Sequence, residues 1–165
     1  LVELLNDQVN KEFYSAYLYL SMANYYNEEG LSGFGNWFTI QAQEERDHAM
    51  LFLEYLQNNG AHVELKTVEA PKKQFKEFKD PLNESLKHER YVTASIHNIY
   101  AAASNVKDFR TMQFLDWFVK EQGEEEKTAE DLIKKLELFG QDGKGLYMLD
   151  SELASRTYSA PTLTL

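Results

Sequence analysis

Apolar residues recur every three or four positions along four long stretches of the chain. This spacing places them on one face of an α-helix. The pattern predicts four long helices and a short fifth one, with bounds of about 2–29, 33–59, 81–106, 109–139 and 146–156. Glycines follow three of the long stretches and are expected to end those helices. Ser32 and Asp80 are the expected N-caps of the second and third helices, and Pro81 fits the first turn of the third.

The connections between the helices predict the topology. Two of the turns are short, so the helices on either side of each should be antiparallel. Residues 61–79 carry no helical period and could span about 60 Å when extended, whereas a 26-residue helix measures about 39 Å. The predicted fold class is therefore all-α, a four-helix bundle with one long crossover between helices two and three, plus a short fifth helix. We expect residues 1–156 to form a single domain and residues 157–165 an extended or disordered tail.

Composition narrows the function classes. The chain has 165 residues, enough for one domain with a substantial core. It lacks cysteine, which excludes disulfides and thiolate metal sites and fits a reducing cytoplasm. Its formal net charge of −10 argues against nucleic acid and favours cations as partners. Because no long apolar run and no signal peptide are visible, we expect a cytoplasmic protein that does not enter a membrane.

The inward stripe of the second helix contains polar residues where apolar ones are expected. Glu45 and His48 share this stripe with Phe38 and Phe52, so both should point towards the core. A carboxylate and an imidazole one helical turn apart can chelate a metal ion. Each long helix places one carboxylate on its inward stripe, and these four are Glu12, Glu45, Glu89 and Glu125.

The four carboxylates are expected at similar heights in the bundle. Counted from the two short turns, they lie within about two helical turns of one another. No lysine or arginine falls on the four inward stripes, so ion pairing does not explain the buried acids. Clustered buried carboxylates are costly, and the cluster must be protonated, hydrated or filled with cations. Oxygen ligands with one imidazole suit iron or manganese.

Each of these features, taken alone, also has a common explanation that involves no metal ion. A single Glu-x-x-His is common on helices, and the run from Glu121 to Glu126 alone is typical of a solvated surface. Glu44 could join Glu121 and Glu124 in a cation site beside the cluster. The conjunction of four helices, each with one acid at a similar height, and one histidine favours a metal site over chance alignment.

With these residues in place, the sequence resembles the ferritins, specifically the prokaryotic non-haem type, over nearly its whole length. The resemblance rests on a set of residues and on the fifth helix: Asn6, Glu12, Tyr19, Glu44, Glu45, His48, Glu89, Trp117, Glu121, Gln122, Glu124 and Glu125. It implies the ferritin-like fold. It also implies a hollow homo-oligomer, a 24-mer in that family, with the short fifth helix at the four-fold axes.

The resemblance also implies the roles of the site residues. Three residues would form the first iron site: Glu12, Glu45 and His48. The second site would share Glu45 as a bridge and add two carboxylates: Glu89 and Glu125. A third iron site would contain four carboxylates: Glu44, Glu121, Glu124 and Glu125. Two further residues match family positions beside the ligands: Gln122 and Tyr19.

The sequence differs from three related families in features that are characteristic of those families. Bacterioferritins carry Glu-x-x-His on the fourth helix and a haem-ligating methionine on the second. This chain has Gln122 and Glu125 at the positions of that Glu-x-x-His motif. It has Arg46 where the haem-ligating methionine would lie, so we expect no haem. Rubrerythrins need cysteines, which are absent here. Mini-ferritins lack a short helix after the bundle, whereas one is predicted here.

The resemblance implies an iron-storage protein with ferroxidase activity. Fe(II) would be oxidised by O2 or H2O2 at a di-iron centre and stored as a ferric mineral inside the shell. The residues expected to carry this reaction are Glu12, Glu45, His48, Glu89, Glu125, Gln122 and Tyr19. One alternative is a di-iron or di-manganese oxidase that acts on another substrate without storing iron. Another is a non-catalytic shell subunit whose site is unused.

Overall fold

Five α-helices make up the regular structure of the chain. The computed structural model describes residues 1–71 and 74–165, and no strand occurs in these residues. The helices are α1 (Val2–Glu28), α2 (Ser32–Asn58), α3 (Lys79–Asn105), α4 (Phe109–Phe139) and α5 (Gly143–Leu153). The predicted all-α bundle with a short fifth helix is confirmed. None of the helices in the described ranges is both long and apolar enough to cross a membrane.

The core consists of two hydrophobic clusters, one towards each end of the bundle. α1 packs against α2 and α3 against α4, while α5 contacts α2 and α4. The first cluster lies near the α1–α2 turn and includes Leu18, Met22, Tyr26, Phe34, Phe38, Leu82, Leu132 and Leu136. The second lies near the α3–α4 turn and includes Leu5, Val9, Phe52, Leu56, Ile96, Ile99, Phe114 and Phe118. α2 and α3 both start in the first cluster and end in the second, so they run parallel.

The crossover follows the whole length of the bundle. Near its start, Asn6 holds it through two hydrogen bonds with the backbone of Glu64, of 3.0 and 2.9 Å. Near its end, the hydroxyl of Tyr26 donates to the carbonyl of Phe78 over 2.6 Å. Val63 packs against the second cluster and Phe78 against the first. Residues 72 and 73 of the predicted crossover lie outside the described residues.

The expected N-caps of α2 and α3 are not used as predicted. Ser32 is the first helical residue of α2 rather than its cap, and Leu31, which occupies the cap position, forms no side-chain cap hydrogen bond. The carboxylate of Asp150 on α5 accepts instead from the backbone N–H of Phe34, over 2.9 Å. α3 begins at Lys79, so Asp80 lies inside the helix and accepts from two N–H groups of the preceding turn. At the start of α2, a hydrogen bond from α5 therefore takes the place of the expected local cap. At the start of α3, Asp80 binds the turn that precedes the helix instead of capping the helix.

The last helix begins earlier than expected, and the tail makes contacts with the bundle that the sequence did not indicate. α5 begins at Gly143, about three residues earlier than predicted, because the Asp142 side chain accepts from the N–H of Gly145 over 2.6 Å and caps it. After α5 the chain carries no regular secondary structure. It nevertheless lies against α2 and α4, where Trp117 donates to Thr162 over 2.9 Å.

Gly33→Ala is expected to destabilise the protein by about 2 kcal/mol, a fall of roughly 5 °C in the unfolding midpoint. A Cβ at Gly33 would lie 1.7 Å from the backbone oxygen of Asp150, so α5 would have to move away from α2. Gly123→Ala is the matched control, because a Cβ there meets no atom of the described residues within 4 Å. It should stabilise α4 by up to about 1 kcal/mol. Equal midpoints for the two variants would contradict this account of α5 docking.

Candidate metal centre

A polar layer separates the two hydrophobic clusters. Its side chains come from all four long helices, and each residue is at most 2% exposed: Glu12, Gln41, Glu45, His48, Glu89 and Gln122. Glu125 projects into the same layer from α4 and is partly exposed. The helical stripes thus bring the four predicted carboxylates and the histidine together.

The layer contains two groups of three potential metal ligands that share one residue. The first group is Glu12, Glu45 and His48, and the second is Glu45, Glu89 and Glu125. In each group, one ligand atom from every residue lies within 4.8 Å of the others. Glu45 belongs to both groups, so a single carboxylate could bridge two metal ions.

Two buried polar atoms of the first group have no hydrogen-bond partner in the described part of the chain. They are Oε2 of Glu12 and Nδ1 of His48. Nδ1 of His48 lies 3.3 Å from a carboxylate oxygen of Glu45 and 4.0 Å from Oε2 of Glu12. Native interiors rarely leave such atoms unpaired, so their convergence fits a cation. Two carboxylates and an imidazole are suitable ligands for iron.

Two buried glutamines orient the carboxylates from one helical turn away. Gln8 donates to Glu12 over 2.9 Å, and Gln41 donates to Glu45 over 3.0 Å. The amide of Gln41 also donates to Glu125 over 2.9 Å and so links α2 to α4. Each bond leaves the other oxygen of the Glu12 or Glu45 carboxylate available to a metal ion.

The carboxylate of Glu89 is held from both sides. The Tyr19 hydroxyl donates to one oxygen over 2.5 Å, and the Gln122 amide donates to the other over 3.0 Å. Gln122 further contacts the hydroxyl of Thr93 at 3.2 Å. Tyr19 and Gln122 therefore both lie beside the carboxylate of Glu89, one of the candidate ligands.

Burial raises the pKa of the Glu12, Glu45 and Glu125 carboxyls well above the ordinary value of 4.5. Neighbouring carboxylates raise these pKa values further, Glu45 acting on Glu12, and Glu89 acting on both Glu45 and Glu125. Burial also raises the pKa of Glu89, although the hydrogen bonds from Tyr19 and Gln122 oppose the change. The layer therefore favours either protons or cations.

No lysine or arginine in the described ranges forms an ion pair with the four carboxylates of the layer. Arg90 pairs with Glu126 and Glu130 on the outside of the bundle instead. The negative charge of the layer is therefore not balanced from within the described chain. This agrees with the pattern of the inward stripes in the sequence.

Three residues of the expected third site lie on the side of the tail, whereas the fourth, Glu125, belongs to the second ligand group of the layer. Glu44, Glu121 and Glu124 line one cavity of about 340 Å³, together with His48. They do not form a group as tight as the two described above, within the residues searched. Burial raises the pKa of Glu121, and the charges of Glu124 and Glu44 raise it further, while His48 opposes them.

The sequence analysis did not identify Gln8 and Gln41 as hydrogen-bond partners of the candidate ligands. Both appear four positions before an inward glutamate, as Gln8–Glu12 and Gln41–Glu45. Residues with this spacing are neighbours on a helix, so the repeated motif is a usable signal. Contacts of Arg156 with α2 were also missed, because no local pattern links the tail to a helix more than a hundred positions away.

Comparisons with known proteins agree with this geometry. The sequence model of the ferritin family, described as a ferritin-like domain, matches residues 2–139. The bacterial non-heme ferritin of Staphylococcus aureus (strain USA300) is 40% identical over 158 residues, which is 96% of this chain and 95% of that protein. The bacterial non-heme ferritin of Staphylococcus haemolyticus (strain JCSC1435) is 39% identical over the same length.

Solved structures are similar as well. An open-pore ferritin from the hyperthermophilic archaeon Archaeoglobus fulgidus superimposes with a TM-score of 0.92 and 45% identity, covering 94% of this chain and 96% of that one. An engineered closed form of the A. fulgidus ferritin superimposes with a TM-score of 0.93 and 44% identity, covering 96% of each chain.

Proposed function

Because the chain belongs to the ferritin family, we propose that it stores iron and oxidises Fe(II) at the paired metal centre. O2 or H2O2 is the oxidant, and the Fe(III) product is kept as a mineral inside an oligomeric shell. The observation that carries the proposal is the pair of ligand groups that share Glu45. Two metal ions on one bridging carboxylate can each give an electron to the same oxidant molecule.

The proposed roles follow from the side-chain chemistry. Glu12 and His48 hold one Fe(II), whereas Glu89 and Glu125 hold the other. Glu45 bridges the two. Supporting this, the four carboxylates and the imidazole supply oxygen and nitrogen donors, and the chain has no thiolate that would select another metal.

The residues around the ligands have positioning roles. Gln8 and Gln41 fix the carboxylates of α1 and α2, while Tyr19 and Gln122 fix that of Glu89. Burial raises the pKa of Tyr19 well above 10.0, with Glu89 as the second cause, so its hydroxyl keeps the proton that it donates. Loss of protons from the ligand carboxyls accompanies Fe(II) binding, because a carboxyl must be ionised to bind a metal ion.

The same proposal includes a third cation position, the assembly of the chain and its location in the cell. Glu44, Glu121 and Glu124, with Glu125, form a third cation position next to the pair. The chain acts as one domain over residues 1–156 and assembles into a 24-mer in the cytoplasm, without haem. The net charge of −10 supports cations rather than nucleic acid as the partner.

Anaerobic Fe(II) loading followed by exposure to air tests storage against simple turnover. We expect a large particle in size-exclusion chromatography that retains far more than about two irons per subunit after oxidation. The matched measurement without protein gives the background rate of oxidation. A monomer or dimer that retains only the paired irons would instead support the oxidase on another substrate. A large particle that oxidises Fe(II) no faster than buffer would support the non-catalytic subunit.

A further inference from the structure

The C-terminal segment 156–163, called the strap below, crosses the surface formed by α2 and α4. At its start, the Arg156 guanidinium donates to the backbone oxygen of Trp37 over 3.0 Å and lies 4.2 Å from the centre of the Trp37 ring. The amide of Asn36 donates to the carbonyl of Arg156 over 3.1 Å. The first residue of the strap is therefore fixed in both backbone and side chain.

The strap is held along the rest of its length as well. The Tyr158 hydroxyl donates to the carboxylate of Asp47 on α2. The indole N–H of Trp117 on α4 donates to the Thr162 hydroxyl over 2.9 Å, and Leu163 packs against the second hydrophobic cluster. An extended segment with contacts at its beginning, middle and end has a defined course over the bundle.

The strap forms one wall of the cavity that contains the third set of carboxylates. The opposite wall consists of residues from α2 and α4: Glu44, His48, Trp117, Lys120, Glu121 and Glu124. Residues of the strap close the cavity from outside: Ser159, Ala160, Pro161 and Thr162. Because His48 belongs to both this cavity and the paired centre, the cavity adjoins that centre.

Arg156 also forms an ion pair with Glu44 inside this arrangement. The two side chains are only 21% and 23% exposed, so solvent screens their charges less than at an open surface. A guanidinium matches the geometry of a carboxylate and satisfies it as a cation would. Glu44 is thus already neutralised by a cationic group of the chain itself.

We propose that Arg156 competes with metal ions for Glu44 and that the strap limits cation exchange through the cavity. A divalent or trivalent cation reaches full coordination at Glu44, Glu121 and Glu124 only after the guanidinium leaves Glu44. Arg156 therefore lowers cation affinity at this position, and the strap slows the passage of cations beneath it. The part of this inference that concerns iron rests on the proposed function, whereas the competition for Glu44 rests on the ion pair and the cavity.

Titration with Tb³⁺ tests the competition without iron chemistry. Its binding can be followed by luminescence, because Trp117 beside the cavity can sensitise Tb³⁺. Arg156→Gln is expected to tighten Tb³⁺ binding at the Trp-sensitised site about 10-fold, since it removes a close positive charge. Lys66→Gln is the matched control, because it breaks an exposed ion pair with Asp7 outside the cavity and changes the net charge equally. Adding Glu44→Gln to Arg156→Gln should abolish the gain.

A truncated chain that ends at Tyr158 tests the strap separately, since it keeps Arg156 and removes the residues that close the cavity. Its Tb³⁺ association should be several-fold faster in stopped-flow luminescence. Circular dichroism and particle size establish that each variant is folded. Unchanged affinity in Arg156→Gln, or an equal change in Lys66→Gln, would overturn the competition, and an unchanged association rate in the truncated chain would overturn the role of the strap.

The two proposals can fail independently. If wild-type protein neither oxidises nor retains iron, but Arg156→Gln still tightens Tb³⁺ binding, the function is wrong and the competition stands. If iron is oxidised and stored while Tb³⁺ binding is unaffected by Arg156→Gln, the function stands and the competition is wrong.

Discussion

Replacing Glu45 with alanine is expected to lower the initial rate of Fe(II) oxidation about 100-fold, a loss of roughly 3 kcal/mol in transition-state stabilisation. Glu45 is the one residue common to both ligand groups, so its removal takes a ligand from each metal position and the bridge between them. Stopped-flow absorbance after mixing with aerated buffer measures the fast phase. Slow oxidation outside the centre should remain, so the protein-free background must be subtracted.

Two further variants separate the bridge from its surroundings. Glu45→Gln keeps the side-chain volume but weakens the ligand, so it should be nearly as slow as the alanine variant without creating a cavity. Glu54→Gln removes an exposed carboxylate from the same helix and should leave the rate unchanged. A fast phase in Glu45→Ala that matches that of Glu54→Gln would rule out Glu45 as the bridge.

The clustering of the candidate ligand carboxylates was predictable because helical periodicity carries three-dimensional information. Glu12, Glu45 and Glu89 replace apolar residues on inward stripes, and a helix keeps each stripe on one face over its whole length. The similar height of the carboxylates along the bundle was predicted by counting residues from the short turns, since each helical residue adds about 1.5 Å along the helix axis. Regular secondary structure thus converts sequence spacing into position.

Other features depend on contacts between residues far apart in the sequence, which the helical periodicity of the apolar residues does not predict. The side chain that satisfies the start of α2 is Asp150, far along the sequence, rather than the adjacent Ser32. The strap was expected only as an extended or disordered tail, because its anchors are single contacts such as that of Tyr158 with Asp47. Local sequence cannot report a hydrogen bond whose partners become close only after the bundle has formed.

The metal-free protein is expected to lose stability as the pH rises. The pKa values of Glu12, Glu45 and Glu125 are raised in the folded state, so these carboxyls keep protons that the unfolded chain releases above about pH 4.5. Their contribution to the free energy of unfolding is complete below that pH and is lost as the pH rises through the folded-state values. As the pH rises above about 4.5 and through the folded-state pKa values, we expect the free energy of unfolding and the unfolding midpoint of the metal-free protein to fall.

A redox-inert divalent cation such as Zn²⁺ should reverse this trend, because it binds the ionised carboxylates of the folded state only. At a free concentration of about 100 times Kd it adds about 2.7 kcal/mol, and the gain should grow with pH as protons leave the site. Chelation should restore the metal-free profile. Scanning calorimetry at several pH values measures both curves, and Glu45→Gln should flatten both. The lowered pKa values of Asp80 and Asp108 act only below about pH 4, outside this window. A metal-free midpoint that rises towards pH 8 would contradict the raised pKa values of these carboxyls.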